Sequence, residues 1–157
     1  IKKNFLKKEN IYFLILIVLI FLTDRISKYK IINNFDDETF YVNNFINLEL
    51  IWNIGVGFGF LSTSSTILYN SITITILIVI FFLIYTLVTS AKIDKFIYSV
   101  IIGGAFGNFY DRIIYRAVPD FIDIHYNNFH WFTFNLADIF ITIGIIIYIL
   151  RSFFVKN

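Results

Sequence analysis

Three stretches of this chain, Ile11–Leu22, Ile72–Val88 and Ile139–Leu150, run without a charged residue. With their apolar flanks they approach the ~20 positions an α-helix needs to cross a bilayer. The pattern predicts helices at about 9–32, 66–89, 96–115 and 134–154, separated by two longer polar connections, about 33–65 and 116–133. Within the first connection, Phe40–Trp52 alternates apolar and polar positions loosely, as short strands do. The expected architecture is a membrane all-α bundle of four transmembrane helices, built as a single integral membrane domain over residues 1–157.

Charge orients this picture. Lys2, Lys3, Lys7 and Lys8, the Lys92 and Lys95 connector, and Arg151 with Lys156 all fall on one side of the predicted bundle. The first connection carries Asp36, Asp37, Glu38 and Glu49 but no Lys or Arg. The positive-inside rule then places both termini in the cytoplasm and both long connections outside. The four early lysines before an apolar stretch resemble a signal peptide, but no small-residue cleavage site follows, and the pattern continues through Thr23-Asp24-Arg25 to Ile32. Ile1 in place of methionine suggests a chain without its initiator or one that starts after processing.

Composition narrows the chemistry. Hydrophobic residues make up 58% of the chain and charged ones 15%, a balance that cannot clothe a water-soluble surface. There is no cysteine, which removes disulfides and thiolate sites. The net charge of +2 is gathered at helix ends and not in a stripe, so no nucleic-acid partner is expected. His125 and His130 stand five apart on what reads as a loop, with no HExxH-like spacing, and this disfavours a metal site. No cofactor is expected.

Ionisable residues inside or beside membrane segments are expensive and mark sites. Asp24 and Lys28 share a helical face and read either as an interfacial ion pair or as part of a site. The glycines of Asn53-Ile54-Gly55-Val56-Gly57-Phe58-Gly59 suit a plain turn or the close approach of a ligand backbone. Gly103 and Gly107 form a small-xxx-small packing face, with Gly104 beside them, but packing does not account for Asn108, Asp111 and Arg112 on the same helix. Asn135 can cap the last helix, with Asp138 at the positive end of its dipole. Capping leaves Asp120 unexplained, an acid between Pro119 and Phe121 with no adjacent cation. Two carboxylates close together in a low dielectric share a proton, one acting as base and the other as acid, which is the chemistry of aspartic proteolysis. The alternative is a small non-enzymatic proton- or ion-linked transporter or channel subunit using the same acids, although no internal repeat is visible.

These residues resemble the bacterial lipoprotein signal peptidases, also called signal peptidase II. The resemblance rests on five ordered motifs over nearly the whole chain. They are Asp24-x-x-Ser27-Lys28, Asn53-x-Gly55-x-x-Phe58-Gly59, Gly103-Gly104-Ala105-x-Gly107-Asn108-x-x-Asp111-Arg112, Val118-x-Asp120-Phe121 and Phe134-Asn135-x-Ala137-Asp138. It implies an aspartic endopeptidase of the bacterial cytoplasmic (inner) membrane, active near its outer face. Such an enzyme removes the signal peptide from diacylglyceryl-modified prolipoproteins, amino-terminal to the lipidated cysteine. Asp120 and Asp138 match the catalytic pair. Asn53, Gly55, Asn108, Arg112, Asn135 and Ala137 match positions that support the site and bind substrate or the cyclic peptide globomycin. Asp24, Lys28, Gly104 and Asp111 match structural motif positions. Membrane lipid is a further implied partner, and the family's connection between helices 1 and 2 forms a small extracytoplasmic β-rich cradle. The chain departs from the pattern at Arg25, where Gln is common, at Gly57 for Ala, at Arg116 for Gly, and at Pro119, where a β-branched residue is usual.

Overall fold

The structure, a computed structural model, describes residues 8–34, 39–55 and 65–154. The motif residues Gly57, Phe58 and Gly59, the acids Asp36, Asp37 and Glu38, and the terminal lysines Lys2, Lys3, Lys7 and Lys156 lie outside the described residues. Four helices, α1 (Lys8–Asn34), α2 (Thr66–Thr89), α3 (Lys92–Ile114) and α4 (Leu136–Phe154), accompany four strands, β1 (Phe40–Asn43), β2 (Ile46–Asn53), β3 (Val118–Tyr126) and β4 (Phe129–Phe134).

Helices α1, α2 and α4 are long and apolar enough to cross a membrane. Their outer faces are apolar too: Leu14, Ile67, Phe81, Phe82 and Phe153 are all more than half exposed. Such a surface is stable against lipid and would associate in water. Helix α3 is different. It carries Lys92, Asp94, Lys95, Asp111 and Arg112, and it packs against each of the other three helices. Central placement removes the need for an apolar surface, and its buried positions include Ser99, Gly103, Gly104, Gly107, Asp111 and Arg112. It begins at Lys92, four residues ahead of the expected start at 96.

The glycines of α3 are where helices meet. A Cβ on Gly104 would lie 2.6 Å from the carbonyl oxygen of Ala137 in α4, and one on Gly103 would lie 2.7 Å from Cβ of Ile20 in α1. Small residues at these points let the backbones approach closely.

The connection 116–133 is not the expected loop. It supplies β3 and most of β4, which join β1 and β2 in one antiparallel sheet of order β1-β2-β3-β4. The β-rich element therefore draws half its strands from beyond α3, and does not lie wholly between the first two helices. Asn43 closes the β1–β2 hairpin, its Oδ1 accepting from the backbone N–H of Phe45 at 2.8 Å and of Ile46 at 3.0 Å. The β3–β4 hairpin turns through Asn127-Asn128, with Asn127 at φ 52°, a left-handed conformation that asparagine tolerates better than most residues. Pro119 pairs with Trp52 on β2, while pairing with β4 begins only at Ile122. At Pro119 the strand thus has a neighbour on one side only, which accommodates a residue without a backbone donor.

Candidate active site

Asp120 enters the site from β3 and Asp138 from the first turn of α4, and Asn135 stands between them. The Nδ2 of Asn135 donates to Oδ1 of Asp120 at 2.5 Å, and its backbone N–H donates to Oδ2 of Asp138 at 3.2 Å. In return Oδ1 of Asn135 accepts from the backbone N–H of Asp138 at 3.1 Å. Asn135 therefore caps α4 reciprocally with Asp138 and simultaneously ties the helix to β3. Capping of α4 by Asn135 therefore does not exclude a contact between Asn135 and Asp120.

Each carboxylate has a second amide donor. Nδ2 of Asn53, the last residue of β2, donates to Oδ2 of Asp120 at 2.8 Å. Nδ2 of Asn108 on α3 donates to Oδ1 of Asp138 at 2.8 Å. These donors are themselves oriented. Oδ1 of Asn53 accepts from the N–H of Gly55 at 2.8 Å, and the Gly55 carbonyl accepts from Nη2 of Arg112 at 2.6 Å. Arg112 in turn donates to the Asn108 carbonyl at 3.3 Å. Asn53, Gly55, Asn108, Arg112 and Asn135 thus converge on the two aspartates.

Asp120 is 2% exposed. Burial, foremost, and the charge of Asp138 push its pKa up to about 7, against the opposing pull of the Asn53 and Asn135 hydrogen bonds. A carboxyl so placed holds a proton at a pH where an ordinary aspartate is ionised.

Asp24, Lys28 and Asp111 form an adjoining, fully buried cluster, in which the ion pair expected between Asp24 and Lys28 is present. Nζ of Lys28 lies 3.0 Å from Oδ2 of Asp24 and 2.7 Å from Oδ2 of Asp111, and it donates to Oδ1 of Asn108 at 2.8 Å. That last bond links the cluster to Asp138 through one side chain. Oδ1 of Asp24 accepts from the backbone N–H of Ala137 at 3.1 Å, satisfying a free amide in the first turn of α4. Gly107 makes room for this: a Cβ there would collide with the Asp24 carboxylate.

Sequence reasoning missed two members. Arg25 bonds Asp111 at 2.6 Å and Asp24 at 3.1 Å and covers the Tyr110 ring at 4.8 Å. Its one sequence signal was its place between Asp24 and the rest of that motif. The Tyr69 hydroxyl donates to the Arg112 carbonyl at 3.3 Å, a contact with no local signal in the sequence.

A cavity of about 770 Å³ runs between α2, α3 and α4 and reaches Asp138. Asn108, Arg112 and Asp138 line it, with mainly apolar side chains such as Val79, Leu83 and Ile145 and a few threonines and tyrosines around them.

Known proteins resemble this chain in sequence and in fold. A family model described as signal peptidase (SPase) II matches residues 16–154. A lipoprotein signal peptidase of Pelagibacter ubique is 46% identical over 98% of this chain and 95% of its own. One from Francisella tularensis subsp. mediasiatica is 38% identical over 98% of each. A solved bacterial membrane enzyme superposes with a TM-score of 0.74 at 30% identity, covering 90% of this chain and 87% of that one. A second gives 0.73 at 28% identity, covering 90% and 92%. With a family match across nearly the whole length and relatives at this identity, the chain belongs to the signal peptidase II family.

Proposed function

We propose that this peptidase cleaves the signal peptide from lipoprotein precursors with Asp120 and Asp138 as its catalytic pair. The observation that carries the assignment is Asn135, whose side chain and backbone hold one carboxylate each, on two different elements, with the Asp138 carboxylate lining a largely apolar cavity. One carboxylate takes a proton from water as the water attacks the scissile carbonyl, and the other, still protonated, donates to the carbonyl oxygen. Asp120, with a pKa near 7, is suited to hold that proton at neutrality. Collapse of the tetrahedral intermediate returns a proton to the leaving amine. Asn53 and Asn108 orient the carboxylates, and Arg112 fixes Gly55 and Asn108 around them.

The substrate is a diacylglyceryl-modified prolipoprotein, cut amino-terminal to its lipidated cysteine. The apolar cavity suits such a substrate, since a signal peptide and acyl chains both present hydrocarbon, and a globomycin-type cyclic peptide would compete there. All four helices cross the bacterial inner membrane, with both termini cytoplasmic and the β-rich cradle and aspartates toward the outer face, as the basic connector at Lys92 and Lys95 supports.

The test is purified protein in detergent or lipid with a diacylglyceryl-modified precursor. Asp120→Asn and Asp138→Asn should each abolish release of the signal peptide while the protein stays folded. Full turnover by either variant overturns the pair.

A further inference from the structure

Asp123, His125 and His130 stand apart from the two aspartates, and nothing in the cleavage chemistry uses them. Asp123 and His125 are two apart on β3 and share one face, whereas Asp120 lies three positions from Asp123 and so on the other. The β3–β4 register brings in the third residue. Asp123 pairs with Thr133 and Ile124 with Phe132, yet His125 pairs with His130, so Trp131 is an extra residue in β4. That bulge puts an imidazole where regular pairing would place the Trp131 indole.

The two imidazoles stack, with centroids 5.4 Å apart and planes 25° off parallel, and both Nδ1 atoms face the same carboxylate oxygen. Nδ1 of His130 lies 2.7 Å, and that of His125 3.5 Å, from Oδ2 of Asp123. One potential ligand atom from each residue falls within 4.8 Å of the others. His125 is 8% exposed, and its Nδ1 makes no hydrogen bond among the described residues. A buried imidazole nitrogen left without a hydrogen bond beside a carboxylate is an uncompensated polar group. On β2, Asn47 pairs directly with Asp123, and its Oδ1 is likewise buried and without a hydrogen-bond partner among the described residues.

We propose that Asp123, His125 and His130 form a binding site for a divalent transition cation, Zn²⁺ foremost, on the sheet face opposite the catalytic pair. Two imidazoles and one carboxylate are a zinc donor set, and harder cations such as Mg²⁺ prefer oxygen ligands. Tetrahedral zinc with bonds of about 2.0–2.1 Å holds its donors roughly 3.3 Å apart, so the two short edges need shifts of tenths of an ångström and the longest, within 4.8 Å, must close by more than that as the imidazoles turn toward the cation. His130 is 55% exposed, which leaves the cation a route from solvent and a position for water. The site joins β3 to β4, so an occupied site braces the hairpin that carries Asp120.

The experiment is calorimetric titration of Zn²⁺ into the full chain in detergent, purified without a polyhistidine tag. One Zn²⁺ per chain is expected, undisturbed by excess Mg²⁺, together with a rise in melting temperature. His130→Ala removes the most exposed of the three proposed ligands and should weaken binding by at least about tenfold, the effect typical of losing even an outer-shell partner, and remove the thermal shift measured against the same variant without metal. Asp120→Asn should bind Zn²⁺ as the wild type does. Absence of saturable binding, undiminished binding by His130→Ala, or loss of binding in a folded Asp120→Asn protein each overturns the proposal. Because these readouts do not involve cleavage, their failure leaves the assignment of the catalytic pair untouched.

Discussion

Asn135 shows how much one side chain can carry, since removing its amide frees a helix end and a buried carboxylate together. Asn135→Ala should lower cleavage at least about a hundredfold and destabilise the fold by roughly 2 kcal/mol, read from initial rates and thermal unfolding. Asp120 makes a pH-dependent contribution. Its pKa is raised to about 7 in the folded protein from about 4 unfolded, so the folded state binds the extra proton between those values. The stability tied to that proton is fully present below pH ~4 and is lost as pH rises through about 7. Thermal unfolding of the wild type should therefore weaken over that window, whereas Asp120→Asn should lack this component. Cleavage should fall above about pH 7, where the pair loses its shared proton. Arg116 is a separate matter: it follows the end of α3 in a left-handed conformation, φ 54°, which favours glycine. Arg116→Gly should raise stability by about 1 kcal/mol without loss of activity. Asp138 and Asn135 were readable as a helix start, and Asp120 as an acid without a cation. That Asn135 serves both acids was not readable, because the bond to Asp120 joins a helix cap to a separate strand.

The start of α4 is positioned by its neighbours more than by its own sequence. The α3 glycines set the distance, and Asp24 of α1 takes up the Ala137 amide. Gly104→Leu should force α3 and α4 apart, because its Cβ would meet backbone that cannot rotate away. Destabilisation of about 1–3 kcal/mol or more, together with loss of cleavage, would be visible in unfolding and rate measurements. Gly107→Ala acts more locally, against the Asp24 carboxylate. The apolar helices are legible from composition because a lipid-facing helix is hydrophobic on its outside as well as its inside. Strands β3 and β4 were not. Along β3, Val118-Pro119-Asp120-Phe121-Ile122-Asp123 breaks the alternation that a strand with one wet face would show. The break has a cause: both faces are committed, with Asp120 and Asp123 each buried on its own side.

The molecule as a whole is organised around a buried ion cluster under an apolar exterior. Lys28 sits between Asp24 and Asp111 and bonds Asn108, so it joins α1 to α3 and both to the aspartate on α4. Lys28→Ala should destabilise the fold by about 3–5 kcal/mol, since two buried carboxylates lose the fully buried cation between them and keep only the partly exposed Arg25. Cleavage should fall with it, as Asn108 loses its orientation. Arg25→Gln should be milder, because Lys28 remains to neutralise both acids. From its order of residues alone, this chain determines that it is a membrane protein, where its apolar helices run and which polar residues are too expensive to be incidental. Those follow from local hydrophobicity and spacing. The tertiary structure decided the rest: that α3 is central, that a four-stranded sheet unites two distant connections, and that Arg25 and Tyr69 join the site. It also brought His125 and His130 off a supposed loop and onto paired strands. Each of these depends on partners far away in the chain, and a sequence records a residue's chemistry without recording what will be packed against it.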